Sequence, residues 1–195
     1  MSQDIARPAN PAPLTEADIY EAVRQFINIY ALPEMPVEHI IQGWQNRMSL
    51  PTGTNEFAVM SIIFDTQHGT TVETFEAQDP DKTVPGILTV KGLVELAVQV
   101  DICSETDAAR QRARRLAVVT RSSIGVQHFN EWGLSALYAE DVRDLSFVGG
   151  EKQYVRRYMT TLRLSINEGV TVELPYFDTV KTSRVENVDV HHKPI

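Results

Sequence analysis

The stretch 94–102, VELAVQVDI, alternates strictly. Val94, Leu96, Val98, Val100 and Ile102 fall on one side of an extended chain, and Glu95, Gln99 and Asp101 on the other. A period of two sustained this long specifies a strand with one face buried. Phe57 to Phe64 (FAVMSIIF) is apolar on both faces and rich in β-branched and aromatic residues, which suits a central strand. Farther on, Tyr154, Tyr158, Leu162, Leu164 and Ile166 line one face of a long strand, with Arg157, Thr161, Arg163 and Ser165 opposite. Asn167-Glu168-Gly169 has the composition of a turn, so Val170, Val172 and Leu174 are expected to return as the second arm of a hairpin. Val185, Val188 and Val190 suggest a last strand before a polar tail at 191–195.

Helical spacing replaces this alternation in three places. Thr15-Glu16-Ala17-Asp18 has the form of a capping box, and Ile19, Val23, Phe26, Ile27 and Tyr30 follow on one stripe. A helix over about 15–31 is expected, stopped by Pro33 and Pro36. Ser104 with Asp107 reads as a variant capping box opening a second helix to about 121, with Ala109, Ala113, Leu116, Ala117 and Thr120 as its apolar stripe. A short helix or turn follows around 126–132. IIQGWQNRMSLPTG reads as a short extended piece and a turn. Residues 65–92 are polar and punctuated by His68-Gly69, Asp79-Pro80-Asp81 and Pro85-Gly86. Thr71 to Phe75 suits a strand pairing back, and the remainder reads as a long loop, a feature that often carries function.

The order of elements predicts an α+β fold, a mostly antiparallel sheet with two or three helices packed on one face. At 195 residues the chain fits a single domain with a core that needs no staples. The expected boundaries are an N-terminal arm at 1–13, one domain at 14–190 with 65–92 as its long loop or hairpin insertion, and the tail. The arm, MSQDIARPANPAP, has three prolines, no apolar core of a secretory signal and no periodicity, and is expected to be flexible.

Charge narrows the function. A net charge of −8 and a pI near 5.1 argue against a dedicated nucleic-acid binder, whose domains usually have a pI above about 9. A single cysteine, Cys103, rules out an intramolecular disulfide, argues against a Cys-based zinc site, and suits a reducing compartment. No apolar run approaches the ~20 residues of a membrane span.

No catalytic, cofactor or metal residue is expected. Gly149-Gly150-Glu151-Lys152 lacks the spacing of a phosphate loop and precedes a strand pattern, so it reads as a turn or bulge. The carboxylate pairs Glu73/Glu76, Asp79/Asp81 and Glu140/Asp141 are sequence neighbours, without the opposed placement that acid–base hydrolysis needs. His191 and His192 point to opposite sides of an extended chain. Arg110, Arg112, Arg114, Arg115 and Arg121 form one basic helix in an acidic protein, with Arg110, Arg114 and Arg121 on a common face. That face is solvated, or meets an acidic neighbouring subunit, or contacts DNA. A nucleic-acid-binding module using helix 110–121 and a small enzyme with its site in loop 65–92 therefore stand beside a structural protein.

Several motifs in order carry a family resemblance. GWQNRMSLPTG followed by EFAVMS resembles the Q-N-R and proline-turn segment of phage neck and tail terminator proteins. FNEWGLSALYAEDVRDLSFVGGEKQYVRRYMTTLRLSI is similar to that family's Tyr-Ala-x-Asp run, which leads through Leu-x-Phe and Gly-Glu into an aromatic-rich strand. The resemblance covers roughly 15–190. It implies a tail-terminator-like fold and a ring, commonly a hexamer, that ends the tail tube of a tailed phage and joins it to the head connector. It implies no cofactor, no catalysis and no membrane, with the ring assembled in the host cytoplasm and carried in the virion. The partners implied are other copies of the chain, the tail tube protein and the connector proteins, and the genome passes through the lumen without specific binding. In such a ring the candidate subunit contacts are Arg110, Arg114, Arg115, Glu140, Asp141, Arg143, Glu151, Lys152 and Arg157.

Overall fold

Helix α1 (Glu16–Phe26) begins where the sequence places it. Asp18 N donates to Thr15 Oγ1 at 3.3 Å and Thr15 N to Asp18 Oδ2 at 2.9 Å, a complete capping box. The Thr15 hydroxyl, donating to Asp18 Oδ2 at 2.6 Å, and the Thr15 N–H hold the Asp18 carboxyl below its usual range. A single π turn at Ile27–Ala31 finishes the helix, and a 3-10 turn at Val37–His39 leads into β1 (Ile40–Gln42). The structure, a computed structural model, describes residues 14–43, 56–76, 86–148 and 154–174.

Then come β2 (Phe57–Glu76), β3 (Gly86–Ser104), α2 (Ala108–Thr120), α3 (Ser123–Glu131), β4 (Leu134–Ala139), β5 (Arg143–Asp144), β6 (Phe147–Val148) and β7 (Tyr154–Leu174). The sheet runs β1-β2-β3-β7-β4, with β5 and β6 also on β7. β1 lies parallel to β2, and every other pairing is antiparallel. Ala58 and Met60 of β2, Leu96 to Ile102 at alternate positions of β3, and Leu162, Leu164 and Ile166 of β7 are buried in one core. Phe26 of α1, Ala113 and Leu116 of α2, and Phe129 of α3 complete that core, which places the three helices on one sheet face. The fold class is the α+β arrangement expected. Among the described residues no helix is long and apolar enough to cross a membrane.

Four expectations are corrected. The described parts of 65–92 are paired strand, in line with the hairpin alternative and not with a loop: β2 continues to Glu76 and β3 begins at Gly86, and the two pair as far as Glu76↔Ile87. Thr71 to Phe75 accordingly prolongs β2 instead of folding back on it. The hairpin at Asn167-Glu168-Gly169 does not form, because β7 runs straight through it, with Leu93↔Asn167, Gly92↔Glu168 and Lys91↔Gly169 in unbroken register. A turn composition is a local preference, and a long partner strand outweighs it. Lastly, Ser104 ends β3 and does not cap α2. Its Oγ accepts from Thr106 N at 3.1 Å, and Thr106 Oγ1 accepts from Ala108 N at 3.3 Å, so the hydroxyls guide the chain into the helix one turn later than expected.

Two glycines are required, one by its backbone angle and one by its surroundings. Gly69, at φ 75°, sits where β2 gains two residues on β3 between His68 and Val72. Gly125 lets α3 start against the end of α2: a Cβ there would stand 2.5 Å from the carbonyl oxygen of Thr120. The expected arm, the Q-N-R segment, Gly149-Gly150-Glu151-Lys152, the valine-rich strand and the tail lie outside the described residues.

Candidate assembly surfaces

The sheet face opposite the helices is built from the polar positions that alternation set apart. Their register makes ion pairs. Asp101 stands opposite Met159 and Glu95 opposite Ser165, so each carboxylate lies on the diagonal from an arginine two residues along β7. Arg157 Nε meets Asp101 Oδ1 at 2.9 Å, and Arg163 Nη1 meets Glu95 Oε1 at 3.1 Å. Arg163 Nη2 also meets Glu140 Oε1 at 2.5 Å, and its guanidinium lies 4.4 Å from the centre of the Phe64 ring. Ala97 lies in register between Phe64 and Arg163, and its small side chain leaves the room for that reach. Burial disfavours the charge on Arg163, but Glu140 and Glu95 outweigh it and hold the group above its ordinary value. Asp101 does the same for Arg157 through their hydrogen bond.

Beside Arg157 a cavity of about 360 Å³ opens between Phe57, Val59, Ile63 and Phe147. Its charged groups, Asp101 and Arg157, are paired with each other. Asp101 accepts from Arg157 and, at 2.7 Å, from Gln99 Nε2, so its carboxylate is held by two donors of the same sheet. Burial pushes the Cys103 thiol up to about 11, which makes it a poor nucleophile. No group of three or more His, Cys, Asp or Glu that could hold a metal ion occurs among the described residues.

The arginines of α2 divide into two sets. Arg112 turns inward, with Nε 3.3 Å from Glu34 Oε1 and Nη2 3.1 Å from Glu56 Oε2, and Arg115 pairs with Glu34 as well. The Arg112 hydrogen bond holds the Glu56 carboxyl below its usual range. Arg121 donates to the Ala139 carbonyl, tying the end of α2 to β4. Arg110 and Arg114 are exposed and pair with no carboxylate among the described residues. Of the remaining candidates, Glu140 and Arg157 are held inside the subunit, Asp141 is exposed 3.8 Å from Arg121, and Arg143 is exposed 3.9 Å from Glu140. Glu151 and Lys152 lie outside the described residues.

Sequence reasoning did not foresee the third surface. β2, β3 and β7 continue together beyond the helices as a three-stranded ribbon. On it, residues 63–76 of β2 and 167–173 of β7 are exposed throughout. Among the described residues its edges are unpaired, since β1 reaches only Met60 of β2 and β4 only Ile166 of β7. One ribbon face continues the core face and carries the rows Phe75–Leu88–Val172 and Glu73–Val90–Val170. The opposite face carries the rows Thr74–Thr89–Thr171, Glu76–Ile87–Glu173 and Val72–Lys91–Gly169. The available signal was the alternation of Leu88 and Val90 with Thr89 and Lys91, which extends the 94–102 pattern backwards.

No curated protein matches this chain. A family model described as phage neck terminator protein matches residues 17–193, almost its whole length. With that span and an α+β sheet of the expected class, the chain belongs to the phage neck terminator protein family, a structural component of the virion neck that associates with other head and tail proteins.

Proposed function

We propose that the protein forms a closed ring of identical subunits, a hexamer, that terminates the tail tube and joins it to the head connector. The observation that carries this reading is the family match over 17–193. Physical features favour a ring built of one repeated contact. The cations Arg110 and Arg114 of α2, unpaired among the described residues, and the apolar ribbon are different surfaces, and head-to-tail use of two different surfaces closes into rings when the rotation allows. The proposed partners are further copies of the chain, the tail tube protein and the connector proteins.

The lumen reading rests on charge. Six copies carry a formal charge of −48, six times −8. DNA adhesion comes mainly from lysines and arginines that neutralise phosphates, so an acidic channel lets the genome pass without holding it. Arg110 and Arg114 of α2 then serve contacts between subunits.

Reversing Arg110, Arg114 and Arg115 together to Glu tests the interface. The triple variant is expected to leave rings absent from negative-stain images, with a wild-type circular dichroism spectrum showing that the subunit still folds. Normal rings from the triple variant would exclude α2 from the interface.

A further inference from the structure

Extending the ring reading, on which it rests, we propose that the acidic, apolar face of the ribbon docks on the basic face of α2 in the next copy of the chain. The ribbon over 70–76, 86–93 and 167–174 carries Glu73, Glu76, Glu168 and Glu173 against the single cation Lys91. Glu73 and Glu168 share the face that presents Phe75, Val170 and Val172. Val170 is 65% exposed and Phe75 59%, so large apolar groups stand in solvent beside two carboxylates.

The complementary surface is on the same chain. Arg110, Arg114 and Val118 recur every four residues along α2 and so lie on one stripe. Val118 is 68% exposed, and both arginines lack an ion-pair partner among the described residues. Two cations and an apolar residue thus face outward on one element, as two anions and an apolar cluster do on the other. The spans agree. Arg110 to Val118 covers about 12 Å at 1.5 Å per helical residue, and Glu168 to Val172 about 13 Å at 3.3 Å per strand residue. At the foot of the ribbon, Gly92 leaves a trough of about 480 Å³ bounded by Leu14, Glu168 and Val170. An arginine entering it would have the Glu168 carboxylate at the wall. A shared apolar contact supplies most of the association, and the flanking charges set register and exclude ribbon-to-ribbon pairing, where like charges would meet.

Charge exchange between two variants tests this. Glu73→Arg with Glu168→Arg alters the ribbon, and Arg110→Glu with Arg114→Glu alters the helix. All four side chains are exposed, so both variants should keep the wild-type dichroism spectrum. Light scattering should find each variant alone at the mass of one subunit, because like charges face each other at every contact. Mixed in equal amounts, they should recover the wild-type mass, since alternating subunits restore an opposite-charge contact at each junction. The pairing is overturned if both variants assemble alone, if only one loses assembly, or if the folded mixture stays at subunit mass while the wild type forms rings. A wild type that is itself monomeric at every concentration would overturn the ring reading, and this inference with it.

Discussion

Arg163 concentrates the logic of the open sheet face. It is a cation with 16% of its side chain exposed, held by Glu95 on β3 and Glu140 after β4 and covered by Phe64 of β2. One side chain therefore ties three segments together across the sheet. Removing it would leave two half-buried carboxylates facing a site without a cation. Breaking a fully buried ion pair costs about 3–5 kcal/mol, and partial exposure here lowers that, so Arg163→Ala should cost about 2–3 kcal/mol in urea denaturation. The same substitution with Glu95 and Glu140 both changed to Gln should cost clearly less. Equal losses in the two backgrounds would mean that Arg163 acts through packing alone. The sequence does place Arg163 and Glu95 on a polar face, through alternation on either strand. It does not contain their pairing, because the diagonal contact depends on the register of β3 against β7. The division of the α2 arginines was hidden for a similar reason: Glu34 and Glu56, which bind Arg112, come from distant segments.

Among the elements, those whose periodicity was complete within one segment were legible. The capping box and apolar stripe of α1 appear as read, and 94–102 is strand, although Ala97 and Asp101 on its second face are buried too. Elements judged by local punctuation were not. Asn167-Glu168-Gly169 and the polar run after Phe64 look like turn and loop, yet both are strand because β3 lies between them and pairs with each. The junction of α2 and α3 gives a sharp test at this scale. Alanine is favoured over glycine in a helix interior by about 1 kcal/mol, which alone would make Gly125→Ala stabilising. The added Cβ would meet the Thr120 carbonyl oxygen at 2.5 Å and that of Val119 at 2.9 Å, both on backbone that cannot swing aside. The clash should dominate, with a net loss of about 2–3 kcal/mol, seen in a thermal scan as a fall of about 4–12 °C. An unchanged or higher midpoint would show that the helices separate more easily than their packing indicates.

At the scale of the whole molecule, a helix-covered sheet face makes the stable subunit, and a ribbon whose edges are unpaired among the described residues extends beyond it. Exposed edges and apolar rows are hazards that proteins usually cover, and membership of a neck family gives the covering a purpose. The overall acidity has a counterpart in the few outward cations, which stand where a neighbouring subunit could use them. The central claim is that identical subunits close into a ring, and the most direct measurement is the mass of the purified wild-type protein by size-exclusion chromatography with light scattering. A hexamer predicts about 131 kDa, six times 21.9 kDa, with closed rings in negative-stain images of the same fraction. A mass of 21.9 kDa at every concentration tested would contradict it.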